Sequence, residues 1–330
     1  MSEFNVVVVE IGKVGKHPNA DNLSITQIMG GYPCIFRTGD FKQGDKAVYI
    51  PVDALVPLSD PRWEFLRNEK KLDKTHEKIK ARRLRGIFSM GLLTPANDEW
   101  EVGKDVRDEL HIDKYEGPVD VLSTSGTSVV CALDLPVYDL EGLRKYKHIL
   151  RAGEEVVCTE KLHGCNSRYV VGEDGKFWAG SHKTFKKETP GCLWWDIVKR
   201  YDLQNKLASN PKMVIYGEIY GQVQDLRYDA KPGEAWLRVF DVLDLHTRSW
   251  LNYDDCVAFA NKLGLDMVPL LYRGPWNLDD LLPLANGKSM IANNTREGFV
   301  VKPVVERYDM HHGRVAFKMV GEDYLLRKEK

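Results

Sequence analysis

Four ionisable side chains interrupt runs that otherwise read as buried β-strand, and this constrains the fold more than any other feature of the sequence. Lys161 follows the run "EEVVC" and precedes "SRYVV", within "TEKLHGCNSR". Glu218 stands inside "IYGEIYG", Glu297 opens "EGFVVKP", and Lys318 sits in "AFKMV". Their spacings of 57, 79 and 21 residues exclude local pairing along one element. A charge buried without a partner costs several kcal/mol, so the four strands must bring these groups to one another, to a metal or to a charged ligand. Two lysines and two glutamates so converged make a polar cleft.

The rest of the chain reads as an ordinary globular sequence. Its 330 residues, 43% hydrophobic and 29% charged, are enough for two cores, and a net charge of −1 excludes a uniformly basic nucleic-acid coat while leaving room for local patches. One such patch is "KKLDKTHEKIKARRLR", residues 70–85, with eight basic and two acidic side chains; taken alone it reads as a solvated helix face. The start "MSEFNVVVVEIGKVG" lacks a positive n-region, and no run reaches the eighteen or more apolar residues of a membrane span. The six cysteines show no zinc-like spacing. A cytoplasmic, monomeric protein with reduced thiols and no membrane partner is the expectation.

Short β runs broken by turns fill residues 5–105, with "NVVVVEIGKV", "LSITQIMGG", "PCIFRTGD", "DKAVYIPVDALV" and "RGIFSMGLLTP" as the five strands of a small barrel. Residues 106–130 are polar and turn-rich and read as a linker. Residues 131–330 read as a second domain. A short helix is expected within "LPVYDLEGLRKYKHIL", and amphipathic helices over 192–209 and 253–265. Strands are expected at "KMVIYGEIYG", "AWLRVFDVLDL", "EGFVVKP" and "RVAFKMV". This is an α+β arrangement without a Gly-rich phosphate loop.

Two sets of motifs carry resemblances. "GKHPNADNLSI" with "RRLRGIFSMGLLTP" resembles the tRNA-binding type of OB fold. "EKLHGCN", "YGEIYG", "FDV", "EGFVVKP" and "AFKMVGEDYLLRK", in that order, resemble the covalent nucleotidyltransferase superfamily of polynucleotide ligases and capping enzymes. Histidine in place of the KxDG aspartate is similar to the RNA ligases, specifically the RNA-ligase-2-like branch with an N-terminal OB domain. The resemblance implies an N-terminal OB-fold β-barrel followed by a nucleotidyltransferase (adenylation) domain of antiparallel sheets with flanking helices. It also implies ATP as substrate, Mg²⁺ or Mn²⁺ as cofactor, and RNA, as nicked duplex or structured ends, as partner.

The same resemblance assigns the residues. Lys161 would be the nucleophile on the α-phosphate of ATP; to attack, it must be neutral, and with a free-amine pKa of about 10.4 it needs desolvation, Lys318 and a divalent metal nearby to lower that value. Glu218 and Glu297 are oxygen ligands suited to that metal, and Lys318 would hold the α-phosphate. Glu160 would accept from the adenine amine, Phe240 would stack on the purine or serve as core, and Lys302 would face the nucleotide. Asn166 would contact ribose or nucleic acid. His163 would position or meet the leaving group, or be a satisfied buried histidine. Where this branch has "SR", the chain has "SHK", which passes the ribose or 5′-phosphate contact to His182 or Lys183, with Lys186 adding charge. The last motif keeps one lysine, Lys318, of the usual pair. Arg82, Arg83 and Arg85 would meet nucleic acid from the barrel. The expected function is sealing of 3′-OH and 5′-phosphate RNA ends through lysyl-AMP and RNA-adenylate, in RNA repair. An ATP-dependent DNA ligase and a tRNA-binding accessory protein are the rival readings.

Overall fold

The structure is a computed structural model; it describes residues 4–67, 75–115, 126–131 and 133–327, and the chain divides into units of residues 1–117 and 118–330. In the first unit the strands are β1 (Val7–Glu10), β2 (Leu23–Ile28), β3 (Tyr32–Arg37), β4 (Lys46–Ile50), β5 (Ala54–Pro57) and β6 (Leu92–Pro95), with shorter pieces between them. β4 runs antiparallel between β1 and β6. Alternate side chains of a strand point to opposite faces. Hence Val48 and Ile50 pack with Val8, Trp63 and Trp100, while Ala47 and Tyr49 pack with Ile28, Phe36 and Phe41. Burial on both faces explains why "KAVYI" shows no polar alternation.

The "HPNAD" residues have a structural task within this unit. His17 is 1% exposed; its Nε2 lies 3.1 Å from the Leu84 carbonyl, and its Nδ1 accepts from the Asn19 backbone N–H at 3.0 Å. Asn19 Nδ2 donates to the Arg85 carbonyl at 2.9 Å. Both bonds grip the hairpin of Arg82–Leu84 and Ile87–Ser89, whose turn needs positive φ at Arg85 (46°) and Gly86 (88°). The two motifs that carry the OB resemblance are thus one hydrogen-bonded assembly.

Two expectations are corrected here. The first unit does not end at 105: Val106, Leu110 and Ile112 are buried in its core, and Asp113–Lys114 pairs with β5, so the apolar residues of the expected linker close the unit. Residues 116–125 of that linker lie outside the described residues. The described part of the basic stretch, residues 75–85, is not a helix face. Residues 70–74 lie outside the described residues, and the remainder forms the strands His76–Lys78 and Arg82–Leu84. Lys78 is buried, bonded to Asp53 at 3.0 Å and set over the Tyr115 ring, which takes it out of any phosphate surface.

The second unit holds two large sheets, besides the two-stranded pair of Tyr308–Asp309 and Gly313–Arg314. Its longer elements are β7 (Glu155–Lys161), β8 (Cys165–Val171), β9 (Phe177–Gly180), α1 (Leu193–Tyr201), β10 (Met213–Gly221), β11 (Ala235–Asp244), α2 (Tyr253–Lys262), β12 (Leu270–Pro275), β13 (Gly298–Pro303) and β14 (Phe317–Val320). One sheet runs Ser128–Val129, Phe185–Lys186, β9, β8, β10, β11, Ser249–Trp250; the other runs Glu141–Gly142, β14, β13, β7, β12. Every strand pairing in these two sheets is antiparallel save Glu141–Gly142 on β14, and Val239 makes an isolated parallel bridge with Met267. α1 and α2 pack on the first sheet, with Trp194, Ile197, Cys256 and Ala260 in its core. The helix expected over 192–209 breaks at Asp202 (φ 53°) and resumes at Leu203–Ala208. The expected helix within 135–150 shrinks to Leu143–Tyr146 and one 3-10 turn, because residues 133–140 cross the unit as an irregular strap. No described helix is long and apolar enough to cross a membrane.

Candidate active site

The strand register explains how the charges meet. Across β7, β13 and β14, Thr159 pairs with Val300, which pairs with Lys318, and Lys161 pairs with Gly298. Paired residues share a face, and so do residues two apart. One face therefore carries Thr159, Lys161, Val300, Lys302 and Lys318, while Val156, Cys158, Phe299, Val301, Phe317 and Met319 fill the core behind it. On the other sheet Asn166 pairs with Glu218. These two faces and the strap residues Tyr138, Asp139 and Leu140 line one cavity of about 290 Å³, which also takes in Glu160, His182 and Phe240. The motif glycines permit the close approach: a Cβ on Gly164 would collide with the Ile219 carbonyl oxygen, and one on Gly298 with that of Met319.

Lys161 lies at the centre. Its Nζ donates to Glu297 Oε1 at 2.6 Å, with the lysine side chain 28% exposed and that of Glu297 10%. Burial disfavours the charged lysine, but Glu297 and Glu218 outweigh it and hold its pKa above the ordinary value. The expectation that nearby cations lower this pKa is therefore corrected for the protein alone: the near neighbours are carboxylates. Burial pushes Glu218 up to about 8, against the pull of Lys161 and with repulsion from Glu297. Lys318 has Asp139 at 3.9 Å.

Glu297 Oε2, Glu160 Oε1 and Asn166 Oδ1 are buried and make no hydrogen bond to any described residue. Glu160 is 1% exposed, and its other oxygen accepts from the Met290 backbone N–H at 2.8 Å, which fixes the carboxylate. Phe240 lines the cavity and packs against Tyr138 with ring centroids 4.6 Å apart. Buried acceptors left open around a cavity fit a ligand that brings donors or a cation.

Other expected site residues stand differently. Lys302 lines the cavity but is committed: it is 4% exposed and bonds Asp241 Oδ1 at 2.7 Å and Glu306 Oε1 at 3.2 Å. Arg314 and the Tyr138 hydroxyl reach Asp241 Oδ2 at 2.6 and 2.8 Å. Lys302 thus borders the cavity expected for the nucleotide, while its charge is met by this buried network. His163 is not among the residues lining the cavity; its Nε2 meets Asp225 Oδ1 at 2.7 Å and its Nδ1 meets the Tyr324 hydroxyl at 2.9 Å. Its ring nitrogens are thus satisfied within the protein, as in the alternative reading, and Nδ1 also lies 3.8 Å from Glu297 Oε2, which keeps the ring beside the lysine cluster. Lys183 is exposed, and Lys186 lies 5.1 Å over the Trp194 ring. Arg82, Arg83 and Arg85 are exposed on the clamped hairpin of the first unit. His312, of the paired histidines 311 and 312, packs on Tyr146 and Phe317.

Sequence reasoning missed the strap and the partners of Lys302. A signal for Asp241 was present: in "RVFDVLD" it is a charge inside an apolar strand, the same pattern that flagged Glu218. Tyr138 and Asp139 had none.

A lysine bonded to Glu297 and close to Glu218 thus borders a cavity between two sheets, with a second lysine on the cavity wall, an arrangement whose open acceptors and lysines suit a charged ligand. The RNA ligase family model matches residues 154–320, and the chain belongs to that family. An OB-fold domain model matches residues 6–96. No curated protein matches. Among solved structures, a lysine-to-alanine variant of the Naegleria gruberi RNA ligase with ATP and Mn aligns at 22% identity and TM-score 0.82, covering 97% of this chain and 98% of that one. A glutamate variant of the same ligase with AMP and Mn, and the ligase with PPi, each align at 22% identity and TM-score 0.81, covering 98% of both chains. These likenesses establish the fold.

Proposed function

We propose that the chain is an ATP-dependent RNA ligase that joins 3′-OH and 5′-phosphate RNA ends, in repair of nicked duplex or structured RNA, as a cytoplasmic monomer. The observation that carries the reading is the convergence of Lys161, Glu218 and Lys318 on one cavity that also holds the open oxygen of Glu160. Structures of the Naegleria ligase with ATP and Mn and with AMP and Mn support the choice of nucleotide.

Lys161 attacks the α-phosphorus of ATP: an N–P bond forms, the bond to pyrophosphate breaks, and the lysine gives up a proton. Glu297 Oε1 is the acceptor nearest that proton, at 2.6 Å from Nζ. Lys318 meets the α-phosphate from the wall. Glu160 Oε1 accepts from the 6-amino group of adenine, which guanine replaces with an acceptor, and Phe240 covers the purine face.

A divalent metal fits the donor set. Glu218 and Glu297 are hard oxygen ligands, and Glu297 Oε2 is buried with no hydrogen bond. Bound there, Mg²⁺ or Mn²⁺ supplies positive charge that favours neutral Lys161 and offsets charge on the phosphate.

The test is labelling with ATP or GTP carrying a radioactive α-phosphate, followed by denaturing electrophoresis and then by sealing of nicked duplexes. The expected result is a protein adduct from ATP only, acid-labile and alkali-stable, and sealing that requires ribose at the 3′-OH end but tolerates DNA at the 5′-phosphate end. No adduct, or equal sealing of an all-DNA nick, contradicts the proposal.

A further inference from the structure

A second cavity, of about 240 Å³, lies in the same unit and shares a wall with the first, since Tyr138, Asp139 and Leu140 line both. It is nearly as large as the cavity assigned to the adenosine, so it can hold a group of nucleoside size. Its other side is built from Trp250, His312, Arg314 and Ala316.

The wall that separates the cavities is held in place. The Pro136 carbonyl accepts from the Tyr216 hydroxyl at 3.0 Å, and the Tyr138 hydroxyl donates to Asp241 at 2.8 Å. Arg314 is held as firmly. Nη2 bonds Asp241 and Glu306 at 2.6 Å each, Nε bonds Glu306 at 2.9 Å, and the guanidinium lies 4.1 Å over the Trp250 ring. With its charge already met by two carboxylates, and the Trp250 and Tyr138 rings 4.1 and 5.5 Å from its guanidinium, Arg314 fixes an aromatic wall for the cavity rather than an anion site. Planar guanidinium and aromatic groups are the surfaces on which unpaired bases stack, with little regard to sequence.

We propose that this second cavity receives the 5′-terminal nucleotide of the phosphate-bearing RNA strand, an inference that rests on the ligase reading above. In the second step of that reaction a 5′-phosphate oxygen attacks the adenylate phosphorus. The O–P bond forms, the P–N bond to Lys161 breaks, and the leaving nitrogen takes up a proton. The terminal nucleotide must then lie within one nucleotide's reach of the phosphate held by Lys161 and Lys318. Ala316, on the wall of the second cavity, is two residues from Lys318, a span of at most about 7 Å along the chain. Entry of a base here places its 5′-phosphate at the shared wall, beside Lys318 and His182, both of which line the first cavity.

Filling the second cavity without touching the first tests this. Ala316→Leu adds a side chain from the floor and Val137→Trp adds one from the strap, where Val137 is 49% exposed. Each variant is first adenylated, then mixed with 5′-phosphorylated RNA in a single turnover. The expected result is unchanged formation of the protein adenylate and a loss of about ten- to hundredfold in its transfer to RNA, the size of one lost stacking contact. In the wild type, 4-thiouridine at the 5′-terminal position should crosslink to the peptide bearing Trp250 or His312. Normal transfer in both variants, or a crosslink elsewhere only, overturns the second cavity while leaving the ligase reading intact. No adenylate in the wild type overturns the ligase reading itself.

Discussion

Two buried ion clusters border the same cavity and use their valences in opposite ways. In the Lys302 cluster two cations, Lys302 and Arg314, meet two anions, Asp241 and Glu306, and all four carboxylate oxygens have partners. In the Lys161 cluster one lysine faces Glu297 and Glu218, and Glu297 Oε2, with His163 Nδ1 3.8 Å away, makes no hydrogen bond to any described residue. A closed cluster specifies a structure; one with unmet valences is a place where a ligand completes the charge. Burial alone does not separate them. Lys302 is the more deeply buried lysine, yet its charge is already answered within the protein.

The comparison predicts different failures, beginning with the largest. Lys161→Ala should abolish adenylation while folding is retained, and Lys161→Arg should fail as completely, because guanidinium stays protonated at any working pH. Labelling and thermal melting on one preparation check this. Asp241→Ala should do the reverse. It leaves Lys302 and Arg314 in a buried site short of an anion and should destabilise the unit by about 3–5 kcal/mol, read by denaturant melts. Activity at low temperature should survive better than stability. Glu297→Gln should lower adenylation by about a hundredfold or more, as loss of a preorganised charge does, with little change in melting. A melt as depressed as that of Asp241→Ala would show that both clusters are scaffold.

The remaining effect concerns pH. Glu218 is raised to about 8 in the folded protein, against about 4.3 unfolded, so the folded state binds the extra proton across that window. Stability should therefore fall as pH rises from about 4 to about 8 and level off above. In chelator, Glu218→Gln should flatten this part of the curve and raise the melting temperature at pH 8 more than at pH 5. An unchanged slope would mean that Glu218 is better solvated or better paired than its surroundings indicate.

Much of the site was legible because its signal is local. A lysine or glutamate inside an apolar strand violates the pattern around it, and Lys161, Glu218 and Lys318 were found that way and do converge. The OB motifs were legible too, although their physical content, the grip of His17 and Asn19 on the Arg82–Ser89 hairpin, depends on contacts more than sixty residues apart. The strap was not legible. Residues 133–140 have neither period 2 nor period 3.6, since they are held by long-range bonds through Pro136 and Tyr138 rather than by their own hydrogen-bond ladder. The commitment of Lys302 was illegible for a related reason. Motif position placed it on the cavity wall, but its partner Glu306 lies outside every motif, and only the folded arrangement shows the charge to be taken. Val106, Leu110 and Ile112 were lost among polar neighbours.

The most direct test of the contrast is to map the adenylate. Folded protein supplied with ATP and Mn²⁺ or Mg²⁺ is quenched at alkaline pH, digested and analysed by mass spectrometry. The account predicts a single AMP adduct, on Lys161, removed by acid and absent from Lys302 and Lys318. An adduct on Lys302, or none on Lys161 in protein that melts normally, would contradict it.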